Sequence, residues 1–183
     1  MSQPDSAIFH GRNCSPDLFW YGNIAKNLED KGHIVWLPQM PNTEKADLKD
    51  WLPFVLGSKF EFSSETILIG HSAGATLILS ILENIDIKIA KAFLVAGSID
   101  LLNEGKPRPI LQEKYHWEKI RNNVSKIYVI NSDNDPYGAN DKAGKKIADL
   151  SGGELIIAKG QGHFGSIRAK QTYQNFSLLE ELL

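Results

Sequence analysis

The residues best suited to chemistry lie in 67–75, ILIGHSAGA, where an apolar run ends in Gly70-His71-Ser72-Ala73-Gly74. A serine flanked by glycines two positions away, between an apolar strand and an apolar helix, has the context of a sharp turn that lifts a hydroxyl clear of the backbone. The pentapeptide alone arises by chance in about one chain in twenty of this length, so its setting carries most of the weight. It could also be an ordinary tight turn with an idle serine. A serine hydroxyl is a weak nucleophile unless a base takes its proton and a carboxylate orients that base. In this architecture acid and base both follow the serine, acid first.

Only two histidines follow Ser72: His116 and His163. His163 lies in Gly160-Gln161-Gly162-His163-Phe164-Gly165, after the last predicted strand and at the same sheet end as Ser72, so it is the expected base. His116 opens an amphipathic segment with Trp117 and Ile120 and reads as a surface or helix-entry residue. The acid is expected in Ser132-Asp133-Asn134-Asp135-Pro136. Asp135 is preferred, because the following proline restricts its backbone, whereas Asp133 suits a turn cap. An oxyanion hole completes the set. One donor is the N–H of Ala73; the other is expected from the loop His10-Gly11-Arg12-Asn13-Cys14, as the N–H of Arg12 or Asn13. Cys14 has no activating partner in the pattern and reads as a partly buried thiol.

These residues need a frame that brings 10–14, 72, 135 and 163 together. Short apolar runs at Ala7–His10, Ile34–Leu37, Thr66–Gly70, Ala92–Ala96, Ile127–Asn131 and Leu155–Ala158 show little polar alternation, as parallel strands covered on both faces do. Helical periodicity predicts helices over Leu18–Lys31, Ala73–Asn84, Asn140–Leu150 and Ala169–Leu183. Strands alternating with helices predict an α/β fold, a three-layer sandwich on a parallel sheet of about six strands. The segment Ser98–His116 is the least regular and reads as an insertion over one end of the sheet.

With 183 residues, the chain is about one domain long, and residues 1–183 read as a single domain without a separate lid. A net charge of −2 from interspersed acids and bases argues against a nucleic-acid or anionic-membrane footprint. The single cysteine leaves no intrachain disulfide and fits a reducing compartment. The first residues, Met1-Ser2-Gln3-Pro4-Asp5-Ser6, lack a basic and an apolar region, so the expected location is cytoplasmic. The aspartate loop fails as a calcium loop, since its twelfth position, counted from Asp133, is Gly144 rather than glutamate. There is no His-Glu-x-x-His, paired cysteine or Gly-x-x-x-x-Gly-Lys, so no metal and no cofactor are expected.

The chain resembles the small serine hydrolase family of the α/β-hydrolase superfamily, typified by retinoblastoma-binding protein nine. The resemblance runs over nearly the whole chain, through the His10-Gly11 loop, WYGNIAKNLE, WLPQMPN, WLPF, IGHSAGA, WEKI, SDNDP and GQGHF. It implies Ser72 as nucleophile, His163 as base, Asp135 as orienter and a minimal sheet. The family's first loop is often glycine-rich, whereas this one reads HGRNCSP. The expectation is acyl transfer to water from an ester, thioester or amide of a small or medium substrate. With an ordinary imidazole as base, activity should fall on the acid side of about pH 6.5. The competing expectation is a non-catalytic or moonlighting protein-binding module that retains the fold.

Overall fold

The computed structural model describes residues 5–100, 102, 103 and 106–183. Six parallel strands form one sheet: β1 (Ser6–Phe9), β2 (Val35–Trp36), β3 (Ile67–His71), β4 (Ile89–Val95), β7 (Val124–Asn131) and β8 (Glu154–Ile157). A small antiparallel hairpin, β5 (Leu102–Asn103) with β6 (Lys106–Pro107), lies between β4 and β7 in the chain. The sheet order is β2-β1-β3-β4-β7-β8.

That order reverses between β1 and β3, where the connections leave in opposite directions. Such a switch point opens a crevice beyond the carboxyl ends of the two strands, the usual ligand position in open α/β sheets. The turn bearing Ser72 follows β3, and the loop from His10 to Cys14 follows β1, so chain order alone brings these two segments to the crevice.

Both sheet faces are covered. Along β1, Ala7 and Phe9 enter one core while Ile8 enters the other, and all three are fully buried. The first core packs α2 (Leu48–Leu56), α3 (Ala73–Asn84), α4 (Trp117–Asn122) and α5 (Asp141–Ser151) against the sheet through Trp51, Leu77, Ile81, Ile120 and Ile147. The second packs α1 (Tyr21–Asp30) and α6 (Ser177–Leu182) through Trp20, Ile24, Leu28 and Leu179. The result is the expected three-layer α/β/α arrangement. Burial on both sides explains why these strands read as continuous apolar runs. Among the described residues no helix is long and apolar enough to cross a membrane.

Several elements depart from the sequence pattern, the short helix α4 and the hairpin β5–β6 among them. The helix predicted over Ala169–Leu183 is confined to Ser177–Leu182. Upstream of it Lys170 and Tyr173 have positive φ, and Ser166 bridges Gln171. The apolar spacing is still used, but by rings rather than helical turns: Phe164, Tyr173 and Phe176 pack on one another at centroid distances of 5.2–5.5 Å. The helix α2 lies outside the predicted set because Pro53 sits inside it. Its Asp47 caps the N-terminus, accepting from the Lys49 N–H, and buried Trp51 and Val55 anchor it. The edge strand β2 has only two residues, fewer than Ile34–Leu37 predicted, as short edge strands commonly are. Of the segment Ser98–His116, residues 101, 104 and 105 lie outside the described ones. In the rest, Arg108 donates to the carbonyls of Ser98 and Asp100, both at 3.4 Å.

Candidate active site

Ser72 sits between the last residue of β3 and the first of α3, at φ 55° and ψ −111°. An L-residue is strained there, and the surrounding backbone must hold it in place. The Ser72 N–H donates to the Val95 carbonyl at 2.8 Å, and its carbonyl accepts from the Thr76 N–H at 3.2 Å. The two flanking glycines have a steric cause. A Cβ on Gly70 would lie 2.4 Å from the Gly74 carbonyl oxygen, and one on Gly74 would lie 2.0 Å from the Phe9 carbonyl oxygen. The turn is thus pressed against the end of β1 so closely that only hydrogen fits at either position. Ser72 remains half-buried, whereas Ala73 is buried. Among the described residues Ser72 Oγ makes no direct hydrogen bond to His163.

The two acid–base candidates meet. His163 Nδ1–H donates to Asp135 Oδ2 at 2.6 Å, with the Asp135 side chain fully buried. The other carboxylate oxygen accepts from the Tyr137 N–H at 2.7 Å, which fixes the plane of the acid. A carboxylate that binds Nδ1–H leaves the Nε2 lone pair of a neutral ring available for a proton. The Tyr137 ring meets the imidazole edge-on at 4.7 Å, and its hydroxyl pairs with Ser166 Oγ at 2.7 Å.

Side chains from the aspartate loop hold the histidine loop. Asp133 accepts from the Gly160 N–H, Ser132 Oγ from the Gln161 N–H and Asn134 Oδ1 from the Gly162 N–H, at 2.8, 3.0 and 2.8 Å. Asp133 therefore tethers the second loop. From the far side, Gln171 Oε1 accepts from the N–H groups of His163 and Gly165, while its amide donates to the Gln161 carbonyl at 2.6 Å. Ser132, Asn134, Tyr137 and Gln171 are the residues sequence reasoning missed. Asn134 and Tyr137 flank Asp135 and could have been suspected from position; Gln171 carries no local signal.

On the other side of Ser72, the Asn13 N–H donates to the Thr43 carbonyl at 3.0 Å and is committed there. The Arg12 N–H makes no backbone hydrogen bond among the described residues, so of the two expected oxyanion donors Arg12 is the uncommitted one. The Arg12 side chain turns away and donates from Nε to the Glu44 carbonyl at 2.7 Å. His10, fully buried at the end of β1, braces this loop. Its Nδ1–H donates to the Gly11 carbonyl at 2.9 Å and its Nε2 accepts from the Met40 N–H at 3.1 Å. These partners require a neutral ring, and burial lowers its pKa accordingly. Cys14 is half-buried and donates to the Arg12 carbonyl at 3.4 Å; burial raises its thiol pKa, which disfavours a nucleophilic thiolate. His116 is exposed on the surface. Among the described residues no group of three or more His, Cys, Asp or Glu could hold a metal ion.

The sequence profile of the family described as serine hydrolase matches residues 6–183. The serine hydrolase RBBP9 of Rattus norvegicus is 29% identical over 169 residues, covering 90% of this chain and 89% of that protein. The crystal structure of the ydeN gene product from Bacillus subtilis superposes with a TM-score of 0.87 at 22% identity, covering 98% of this chain and 96% of that one. Est1E from Butyrivibrio proteoclasticus, solved also with ferulic acid bound, gives a TM-score of 0.68 at 15% identity over 98–100% of this chain and 90% of its own. At those identities the structural likenesses speak for the α/β-hydrolase fold alone.

Proposed function

Starting from a chain that belongs to the serine hydrolase family, we propose that it hydrolyses a carboxylic ester, thioester or amide through Ser72, His163 and Asp135. The observation that carries this reading is the 2.6 Å bond from His163 to buried Asp135, beside a serine held at positive φ. Ser72 Oγ attacks the acyl carbonyl while His163 Nε2 takes its proton, and Asp135 stabilises the imidazolium that forms. The negative charge on the former carbonyl oxygen is met by the N–H groups of Ala73 and Arg12. Collapse of the tetrahedral intermediate expels the alcohol, thiol or amine, which takes the proton back from His163 and leaves an acyl–Ser72 ester. Water, deprotonated by His163, attacks that ester and releases the acid together with free serine.

With no separate lid domain over the crevice among the described residues, only the segment 98–116 between β4 and α4, the reading favours a small or medium acyl substrate. The reading takes the protein as a cytoplasmic enzyme without a metal or cofactor, supported by its single cysteine. The test is a panel of activated esters of increasing chain length, matching thioesters and aminoacyl amides, assayed with the parent protein and Ser72→Ala. Turnover that disappears in the variant supports the reading. Turnover that survives it, or its absence across the whole panel, contradicts it.

A further inference from the structure

The catalytic scheme leaves one buried titratable group unused: His71, the residue before the nucleophile, 1% exposed. Its Nε2 lies 2.7 Å from the His163 carbonyl oxygen and its Nδ1 lies 2.5 Å from the Tyr21 hydroxyl. A carbonyl only accepts, so Nε2 carries the proton; in a neutral ring Nδ1 then accepts from the tyrosine. The Tyr21 oxygen in turn receives the Gly11 N–H in a long 3.5 Å contact. Gly11 also packs directly on this turn: a Cβ there would meet Ser72 Cβ at 3.3 Å and His71 Nδ1 at 3.5 Å. Rings of Phe19, Trp20, Tyr21 and His163 surround the imidazole at centroid distances of 5.0–6.3 Å.

We propose that His71 is a positioning residue, a fixed-tautomer tie that sets the base loop and the first loop against the nucleophile. It rests on the serine-hydrolase reading above. The geometry gives it a distinct part. Both backbone polar groups of His163 are held by side chains, the N–H by Gln171 and the carbonyl by His71. His71 is covalently next to Ser72, so this bond measures the base directly from the serine. Through Tyr21 the same ring reaches Gly11, adjacent to the expected oxyanion donor Arg12. A cationic His71 would present an N–H to Tyr21 and a charge to His163; burial and nearby His163 hold its pKa down at about 3, so the neutral tie persists.

The test uses amides that mimic one ring nitrogen each. Glutamine places its amide where Nε2 stands and can still donate to the His163 carbonyl; asparagine reaches only the Nδ1 position. His71→Asn should lose about 30–100-fold in kcat on an activated ester with KM changed by less than about threefold, the scale of a small misplacement of a reacting group. His71→Gln should recover to within about fivefold of the parent. Melting temperatures of both variants and fluorophosphonate labelling of the parent accompany the kinetics. Equal kcat in the two folded variants, or a loss carried by KM, overturns the proposal. An independent readout on the parent protein is the ¹⁵N NMR signature of His71: protonated Nε2 with bare Nδ1 supports it, and the reverse overturns it. A parent protein that fluorophosphonate does not label overturns the serine-hydrolase reading itself, and so is distinguished from failure of the tie.

Discussion

The two sides of Ser72 are built by different means. On the proposed base side, a side chain has to be aimed, and side chains do the aiming: Asp135, Asn134, Ser132, Gln171 and His71 bond to His163 or its loop, and the Tyr137 ring packs on the imidazole. On the proposed oxyanion side a backbone N–H has to be presented, and one backbone pair with a few side chains holds its loop. Asn13 is tied to Thr43, and buried His10 closes on the Gly11 carbonyl and the Met40 N–H. A rotatable imidazole has two side-chain torsions to fix, whereas a peptide N–H is fixed once its loop is. The base side should therefore be sensitive to side-chain truncation at many positions, and the oxyanion side at few.

Breaking the base side at its chemistry should cost most. Ser72→Ala and His163→Ala should each lower kcat by about 10⁴–10⁶, with the double variant little worse than either, as for groups acting as one unit. Asp135→Asn should cost about 10³–10⁴ in kcat, because an amide cannot hold the Nδ1–H tautomer. Gln171→Ala frees two N–H groups of the histidine loop and should cost about 10–100-fold, again in kcat rather than KM. Arg12→Ala, which keeps the N–H and removes only a side chain directed at Glu44, should cost less than about fivefold. A larger loss for Arg12→Ala than for Gln171→Ala in steady-state assays would invert the comparison.

Acid stability sharpens it further. His71 and His10 are both neutral in the native protein with folded pKa values below that of a free imidazole. The unfolded chain takes up protons below about pH 6.5 that the native state refuses, so unfolding becomes easier as pH falls through this range towards the folded values. Each such histidine contributes a slope of up to about 1.4 kcal/mol per pH unit. Near His71 the other titratable groups are His163, His10 and Tyr21. Urea denaturation between pH 7 and pH 4 should show His71→Gln to be less acid-sensitive than the parent, and an unchanged slope would contradict the assignment of a buried neutral ring.

Much of this was legible in the chain. All six strands are marked by apolar runs because both sheet faces are buried, and Gly70 and Gly74 betray the tight turn because nothing larger fits. Ser72, Asp135 and His163 stand out through their order along the chain and their places at strand ends. Tyr21 does not, because its role exists only once it has folded against His71, 50 positions away, and Gln171 does not, because it closes back on Gln161, His163 and Gly165 through an irregular turn that no periodicity marks. The apolar spacing of residues 169–183 misled for a related reason: a stripe of Tyr173, Phe176 and Leu179 serves an irregular segment packed ring on ring as well as a helix. The choice between Arg12 and Asn13 could not be read at all, since it depends on Thr43, a residue of another loop.

The central claim is that Ser72 is a nucleophile activated by His163. Treating the purified protein with a fluorophosphonate and locating the adduct by peptide mass spectrometry tests it most directly. The account predicts one stoichiometric adduct on Ser72, formed in the parent protein, absent from Ser72→Ala and slowed by at least about 10³ in His163→Ala. An adduct on another residue, or equally fast labelling of the His163→Ala protein, would contradict it.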